Sequence, residues 1–272
     1  MTTKLIEMGL KLPAPIRHIL FKAYKVEVKL LKTLNRNPKK LNIGGSNWFK
    51  MGWLNLDYYA DNAFTDINQN LLEDQELPFT DESLEIIFTS HILEHLPDEV
   101  VSNLLKECYR VLKKRGLMRI SVPDMEKAFK AYVSVDWNFF GFGGVSTKGE
   151  SIERRLLNFF ASFAMDNYGG EKHYSGGPIV GDKIVKEKFN SLNKYEFVKW
   201  CVSLIPKEAS YKGHVNGFDY EKLEIFLKEA GFWRVLKSSY RGSTVKELRG
   251  WNKFDNRPIT SLYVEAVKEK GN

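Results

Sequence analysis

The chain has 272 residues, of which 43% are hydrophobic and 28% charged, and its formal net charge is +7. That length accommodates one full α/β domain and a sizeable insertion, at roughly 150 residues per domain, and no apolar run approaches the roughly 20 residues that a membrane span needs. The two cysteines, Cys108 and Cys201, stand far apart and in no CxxC arrangement, so neither a disulfide framework nor a cysteine metal site is suggested.

The charge sits at the front. Residues 1–40 carry ten Lys and Arg against Glu7 and Glu27, a net of +8, so the rest of the chain sums to −1. Lys4, Glu7 and Lys11 interrupt any apolar core of a signal peptide, which makes a cytoplasmic protein the default expectation. The stretch IRHILFKAYKVEVKLLKTL reads as a helix that packs its Ile, Leu and Val face on the domain; its basic residues also suit an anionic membrane at the inner face of the cell, or a phosphorylated substrate.

From residue 41 to 123, short β runs alternate with helical or turn segments, the signature of a parallel sheet with crossovers. Strands are expected at 41–43, 53–56, 84–89 and 117–122, with a shorter run at 64–67. Before the last of these lies an amphipathic helix with apolar positions Leu96, Val100, Leu104, Cys108, Val111 and Leu112. Pro97, Asp98 and Glu99 open it, and Lys113, Lys114 and Arg115 followed by Gly116 close it, in keeping with the helix dipole. Residues 125–213 turn to aromatic-rich helical stretches between glycine-rich turns and read as an insertion. After His214, FDYEKLEIFLKEAGF reads as a helix stopped at Gly231, and runs at 234–240 and 262–267 complete the sheet. The expected organisation is a basic extension over 1–40, a core over 41–124, a helical lid over 125–213 and a closing part over 214–272.

Two features point to a nucleotide-like ligand. LNIGGS places an apolar strand before Gly44 and Gly45, which lets backbone approach a ligand at the strand's carboxyl end. Asp57 ends the next strand in GWLNLD, where a carboxylate can accept from two ribose hydroxyls; the same Asp could equally cap a turn.

The block LPFTDESLEIIFTSHILEHLPDEVVSNLLKECYRVLKKRGLMRISVPD, following LNIGGS and GWLNLD, resembles the class I S-adenosylmethionine (SAM)-dependent methyltransferases. The likeness extends to members associated with surface-polysaccharide or sugar modification, which share GWLNLD, SHILEHL, ISVPD and the tail FDNRPITSLYVEAVK. It implies a doubly wound, mostly parallel seven-stranded sheet of Rossmann-like type with a helical insertion and an N-terminal helical extension. It also implies SAM as cofactor, with S-adenosylhomocysteine (SAH) as product. Gly44, Gly45 and Ser46 would then lie at the methionine end, Asp57 at the ribose, Asn70 and Leu71 beside the adenine, and Ser90 and His91 near the transferring methyl. The sequence departs from the family pattern at Ser46 and Trp48, where further glycines are usual, and at Asn70, where Asp is common. The short span from Gly44 to Asp57 implies an abbreviated first helix.

Methyl transfer to a hydroxyl needs alignment, exclusion of water and a general base. His91, Asp124, His173 and His214 have suitable chemistry; the leading catalytic candidates are His91, Asp124 and His173. Among the aromatics able to stack on a sugar are Trp137, Phe139, Phe140, Tyr168 and Tyr174. His91, Glu94 and His95 spell H-x-x-E-H, a zinc-peptidase pattern. With no third ligand evident downstream, no metal is expected and His95 reads as structural. The expected function is methylation of a hydroxyl on a sugar, glycan or related small acceptor. The alternatives are a nucleic-acid methyltransferase using the basic N-terminus and a binding protein that keeps the fold without activity. A nicotinamide oxidoreductase is disfavoured because G-x-G-x-x-G is absent.

Overall fold

The computed structural model describes residues 14–46, 48–58, 63–142, 149–161, 180–205, 213–250, 254–255 and 257–268. Helix α1 (Ala14–Leu34) leads into β1 (Lys40–Ile43), β2 (Trp53–Asp57), β3 (Ile67–Asn68) and β4 (Leu84–Ser90). A 3₁₀ turn (Leu93–His95), α2 (Asp98–Val111) and β5 (Leu112–Pro123) follow. Five helices come next: α3 (Met125–Val133), α4 (Trp137–Phe140), α5 (Ile152–Phe160), α6 (Asp182–Ser191) and α7 (Lys194–Ser203). Then α8 (Tyr220–Glu229), β6 (Arg234–Ser238), a 3₁₀ turn (Lys246–Arg249) and β7 (Ser261–Val267) close the chain.

The strands form one seven-stranded sheet in the order β3-β2-β1-β4-β5-β7-β6. The first five strands are parallel, and β7 runs antiparallel to both of its neighbours. Because successive strand side chains point to opposite faces, Leu41, Ile43, Leu56, Ile87, Ile120 and Val264 share one face and are buried under α2 and α8. Helix α2 presents Val101, Leu104, Leu105, Cys108 and Val111 to it.

The opposite face is covered differently. Trp53, Ile86, Phe88 and Leu117 pack there against Leu248 and Phe254 of the segment between β6 and β7. Arg119, fully buried, ties that segment down with all five guanidinium donors, which reach both Asp255 oxygens, Glu265 Oε1, Ser238 Oγ and the Ser239 carbonyl. Glu265 also accepts from the Ser243 hydroxyl and from the backbone and hydroxyl of Thr244.

Several boundaries differ from the sequence reading. Helix α2 stops at Val111, and Lys113, Lys114 and Arg115 lie in the first part of β5, whose pairing with β4 shifts register between Leu84 and Ile86. The expected run at 64–67 shrinks to Ile67–Asn68 because Phe64 turns away to pack on Phe21 and Tyr24 of α1, at centroid distances of 5.9 and 5.3 Å. No helix forms between β1 and β2 among the described residues. Helix α1 docks through Phe21, Tyr24, Val28 and Leu31, whereas Ile19, Val26, Leu30 and Leu34, expected to be packed, are each more than 60% exposed. Helices α3 to α7 gather around a second core that includes Leu156, Phe160 and Phe197. Phe139 and Phe140 are buried in it, which removes them as sugar-stacking surfaces, while Trp137 stays partly exposed.

Candidate active site

At the carboxyl ends of β1, β2 and β4 lies a cleft of about 370 Å³, within the roughly 300–1,000 Å³ range of small-molecule sites. Gly44, Asp57, Asn70, Leu71 and His91 line it, together with Leu56, Tyr58, Gln69, Leu72, Ile92, His95 and Leu96. These come from four separate stretches of chain, which parallel strands deliver to one edge of the sheet.

The glycine turn is held from inside. Gly44 has φ +77°, and a Cβ there would fall 2.0 Å from the Ile92 side chain; a Cβ on Gly45 would meet the Asn55 amide at 2.7 Å. Both glycines therefore make room for protein side chains, in addition to the approach to a ligand expected of them. Asn55, which the sequence reading did not single out, accepts from the Asn42 amide and donates to the Trp48 and Phe64 carbonyls, joining the turn to the strands beneath it. The Gly44 N–H donates to the Leu56 carbonyl at 2.8 Å, and the Ser46 N–H donates to Asp57 Oδ2 at 2.8 Å. Ser46 thus supports the carboxylate through its backbone, and neither Ser46 nor Gly45 lines the cleft. Across the opening, Asn70 turns its own loop by accepting from the Leu72 N–H, and Gln69 donates to the Asp74 and Glu76 carbonyls.

At the end of β4, Ser90 pairs with Ser121 in the sheet and does not line the cleft, whereas His91 does. His91 adopts φ +56°, a left-handed conformation that only a few per cent of non-glycine residues hold. Its Nε2 lies 2.8 Å from Ser261 Oγ, and its Nδ1 lies 3.1 Å from Glu94 Oε1. Glu94 is almost fully buried, and the His91 ring is the side chain beside its carboxylate oxygens. Burial pushes its pKa upward, but His91, His214 and His95 around it outweigh that and hold it below the usual carboxylate value. Burial lowers the pKa of His214, against the pull of Glu94.

The remaining candidates are placed elsewhere. Asp124 is the N-cap of α3, accepting from the Lys127 N–H at 3.1 Å, and it borders a separate groove with Lys127, Lys237 and Tyr263. His173, Tyr168 and Tyr174 lie outside the described residues. His95, read from sequence as structural, lines the cleft and binds the Gly213 carbonyl through Nδ1 at 2.9 Å. Tyr58 and Ile92 were also missed; each directly follows a residue that was singled out, which is the signal that could have found them.

The geometry fits SAM: a carboxylate at the end of β2, a polar loop at Gln69 and Asn70, and an apolar floor of Leu56, Ile92 and Leu96. Residues 55–120 match the family described as a methyltransferase domain. The ubiquinone/menaquinone biosynthesis C-methyltransferase UbiE of Rickettsia felis is 29% identical over 184 residues, 68% of this chain and 53% of that protein. The chain thus spans about half the length of this curated relative. A SAM-dependent methyltransferase from Archaeoglobus fulgidus (13% identity, 91% and 94% of the two chains, TM-score 0.41) and one from Methanosarcina mazei (14%, 85% and 92%, 0.42) are among the similar solved structures. Strand order, cleft position and the domain match over β2 to β5 agree: the chain carries a class I SAM-dependent methyltransferase domain.

Proposed function

We propose that this protein methylates a hydroxyl of a sugar, glycan or related small acceptor. The observation that carries the reading is the file Ser261–His91–Glu94 at the rim of the cofactor cleft, an imidazole backed by a buried carboxylate. Bound SAM supplies a methyl carbon made electrophilic by its sulfonium. Asp57 and Asn70 hold the ribose and adenine ends. Glu94 keeps the proton of His91 on Nδ1, so Nε2 presents its lone pair. An incoming hydroxyl takes over the bond that Ser261 makes to Nε2 and gives up its proton there. The helices of the insertion, beginning directly after β5, shield the acceptor side from water.

A second reading is C-methylation of a ring carbon, favoured by the name of the Rickettsia felis relative; the same base would take the proton from the acceptor. Titration calorimetry with SAM and SAH tests the cofactor site. Asp57→Ala should weaken both by about 10- to 100-fold, the loss of charge-assisted hydrogen bonds, and no binding by folded wild-type protein would sink the proposal. Product analysis after incubation with sugars and with quinone-type rings then separates O- from C-methylation.

For partners, we propose that α1 rests on an anionic membrane. Ile19, Val26, Leu30 and Leu34 form an exposed apolar stripe one helical face away from the docked Phe21, Tyr24 and Val28, and Lys22 and Lys29 are exposed as well. Retention on vesicles of phosphatidylglycerol, lost in Val26→Glu/Leu30→Glu, supports this; equal retention by that variant overturns it. No helix among the described residues is long and apolar enough to cross a membrane.

A further inference from the structure

Glu94, His95 and His214 bring one potential ligand atom each to within 4.8 Å of one another, with Glu94 buried and the two imidazoles half-buried. The third member arrives from the return of the helical insertion and is locked into place by its neighbours. The Val215 and Asn216 N–H groups donate to the Glu94 carbonyl at 2.8 and 3.1 Å, and the Gly213 carbonyl takes His95 Nδ1. His214 Nδ1 in turn meets the Phe159 carbonyl at 2.8 Å, and the two rings stand edge to face at 5.0 Å.

A carbonyl can only accept, so each Nδ1 carries the proton and each neutral ring is left with its lone pair on Nε2. This is the arrangement in which a second partner fixes the tautomer of a metal-binding histidine. Glu94 adds a charged carboxylate that is nearly fully buried. His91 Nδ1 beside Glu94 Oε1 would orient that carboxylate from behind. A buried charge with only the His91 ring beside its oxygens among the described residues is costly, and a cation among the three groups would remove much of that cost.

We propose that Glu94, His95 and His214 bind a divalent first-row transition metal, with Zn²⁺ best suited to the donor set, at the inner end of the cofactor cleft. Two imidazoles and one carboxylate select such ions over Mg²⁺ or Ca²⁺, and three protein ligands leave a coordination position open. His95 lines the cleft, so the ion would border the cofactor space. Gripping an acceptor oxygen there, the ion would lower the pKa of its hydroxyl; this role, unlike the site itself, rests on the hydroxyl-transfer reading above.

The test uses the whole chain, stripped with chelator and first shown to bind SAH. Titration with ZnCl₂ and CoCl₂ should reveal a single ion per chain, and Glu94→Gln and His214→Asn should each weaken it at least about tenfold while SAH binding persists. Pulsed electron paramagnetic resonance of bound Cu²⁺ should show nitrogen modulation from two imidazoles, a readout that holds if the variants fail to fold. No saturable uptake by SAH-binding protein, uptake unchanged in both variants, or a Cu²⁺ signal without paired imidazoles would each overturn the site. Metal binding without a difference in hydroxyl-acceptor turnover would leave the site intact and remove its role in the transfer reaction.

Discussion

Leu41, Ile43, Ile87 and Ile120 meet two amphipathic helices on one face of the sheet, while on the other Arg119 and Glu265, both buried, sit beneath the segment between β6 and β7, and Asn42 and Asn55, also buried, sit beneath the glycine turn. The first face uses non-directional burial, worth about 25 cal/mol per Å² of apolar surface. The second uses directional bonds, because an irregular segment brings backbone and polar groups that must find partners once they leave water. An apolar helix face tolerates small shifts of its neighbours. The Arg119 network holds only if every donor keeps its acceptor, and it fixes the position of the covering segment more narrowly than apolar contact would.

Removing the guanidinium breaks this contrast most directly. Arg119→Met should cost about 3–5 kcal/mol in urea unfolding, since Asp255 and Glu265 stay buried without their counter-charge. If the loss is under about 1 kcal/mol, the polar face is not held as described. On the helical face, Leu104→Ala should cost about 2–5 kcal/mol through lost burial and the cavity left behind, and SAH affinity should persist because the cleft lies at the strand ends. Asn55→Ala should cost about 1–3 kcal/mol and, unlike Leu104→Ala, should also weaken SAH binding, because the Gly44 turn loses its anchor. The smallest effect is acid sensitivity at the rim of the polar face. There Glu247, despite the upward push of burial, is drawn down to about 2 by Lys40, Lys50 and Trp53. Its folded value lies below the unfolded one, so its contribution is present above about pH 4.5 and is lost as pH falls toward 2. Glu247→Gln should flatten the pH dependence of unfolding in that window and leave it unchanged near neutrality.

The helical face was the more legible of the two. Short apolar runs such as LEIIF, and the helical spacing of Leu104, Cys108 and Val111, are local signals that survive without neighbours, although the buried position is Val101 where the pattern pointed to Val100. The polar face was not legible, because an Arg inside a strand reads as an edge or solvent position until Asp255 and Glu265, more than 130 residues away, are brought to it. The cleft shows the same division. Asp57, Asn70, Leu71 and His91, which the family resemblance put beside the ligand, line it, whereas Asp124 carried suitable chemistry but the fold uses it to cap α3.

By itself the sequence determined where the strands lie, though not all their ends, the helix between β4 and β5, the glycine turn and the carboxylate ending β2, since each depends on spacing within a few residues. Only the tertiary structure decided that Gly44 and Gly45 yield space to Ile92 and Asn55, that Leu248 and Phe254 from between β6 and β7 cover Trp53 and Phe88 on the second face, and that His214 returns to Glu94 and His95. Those outcomes join residues remote in the chain, and their energies exist only after the sheet has brought them together.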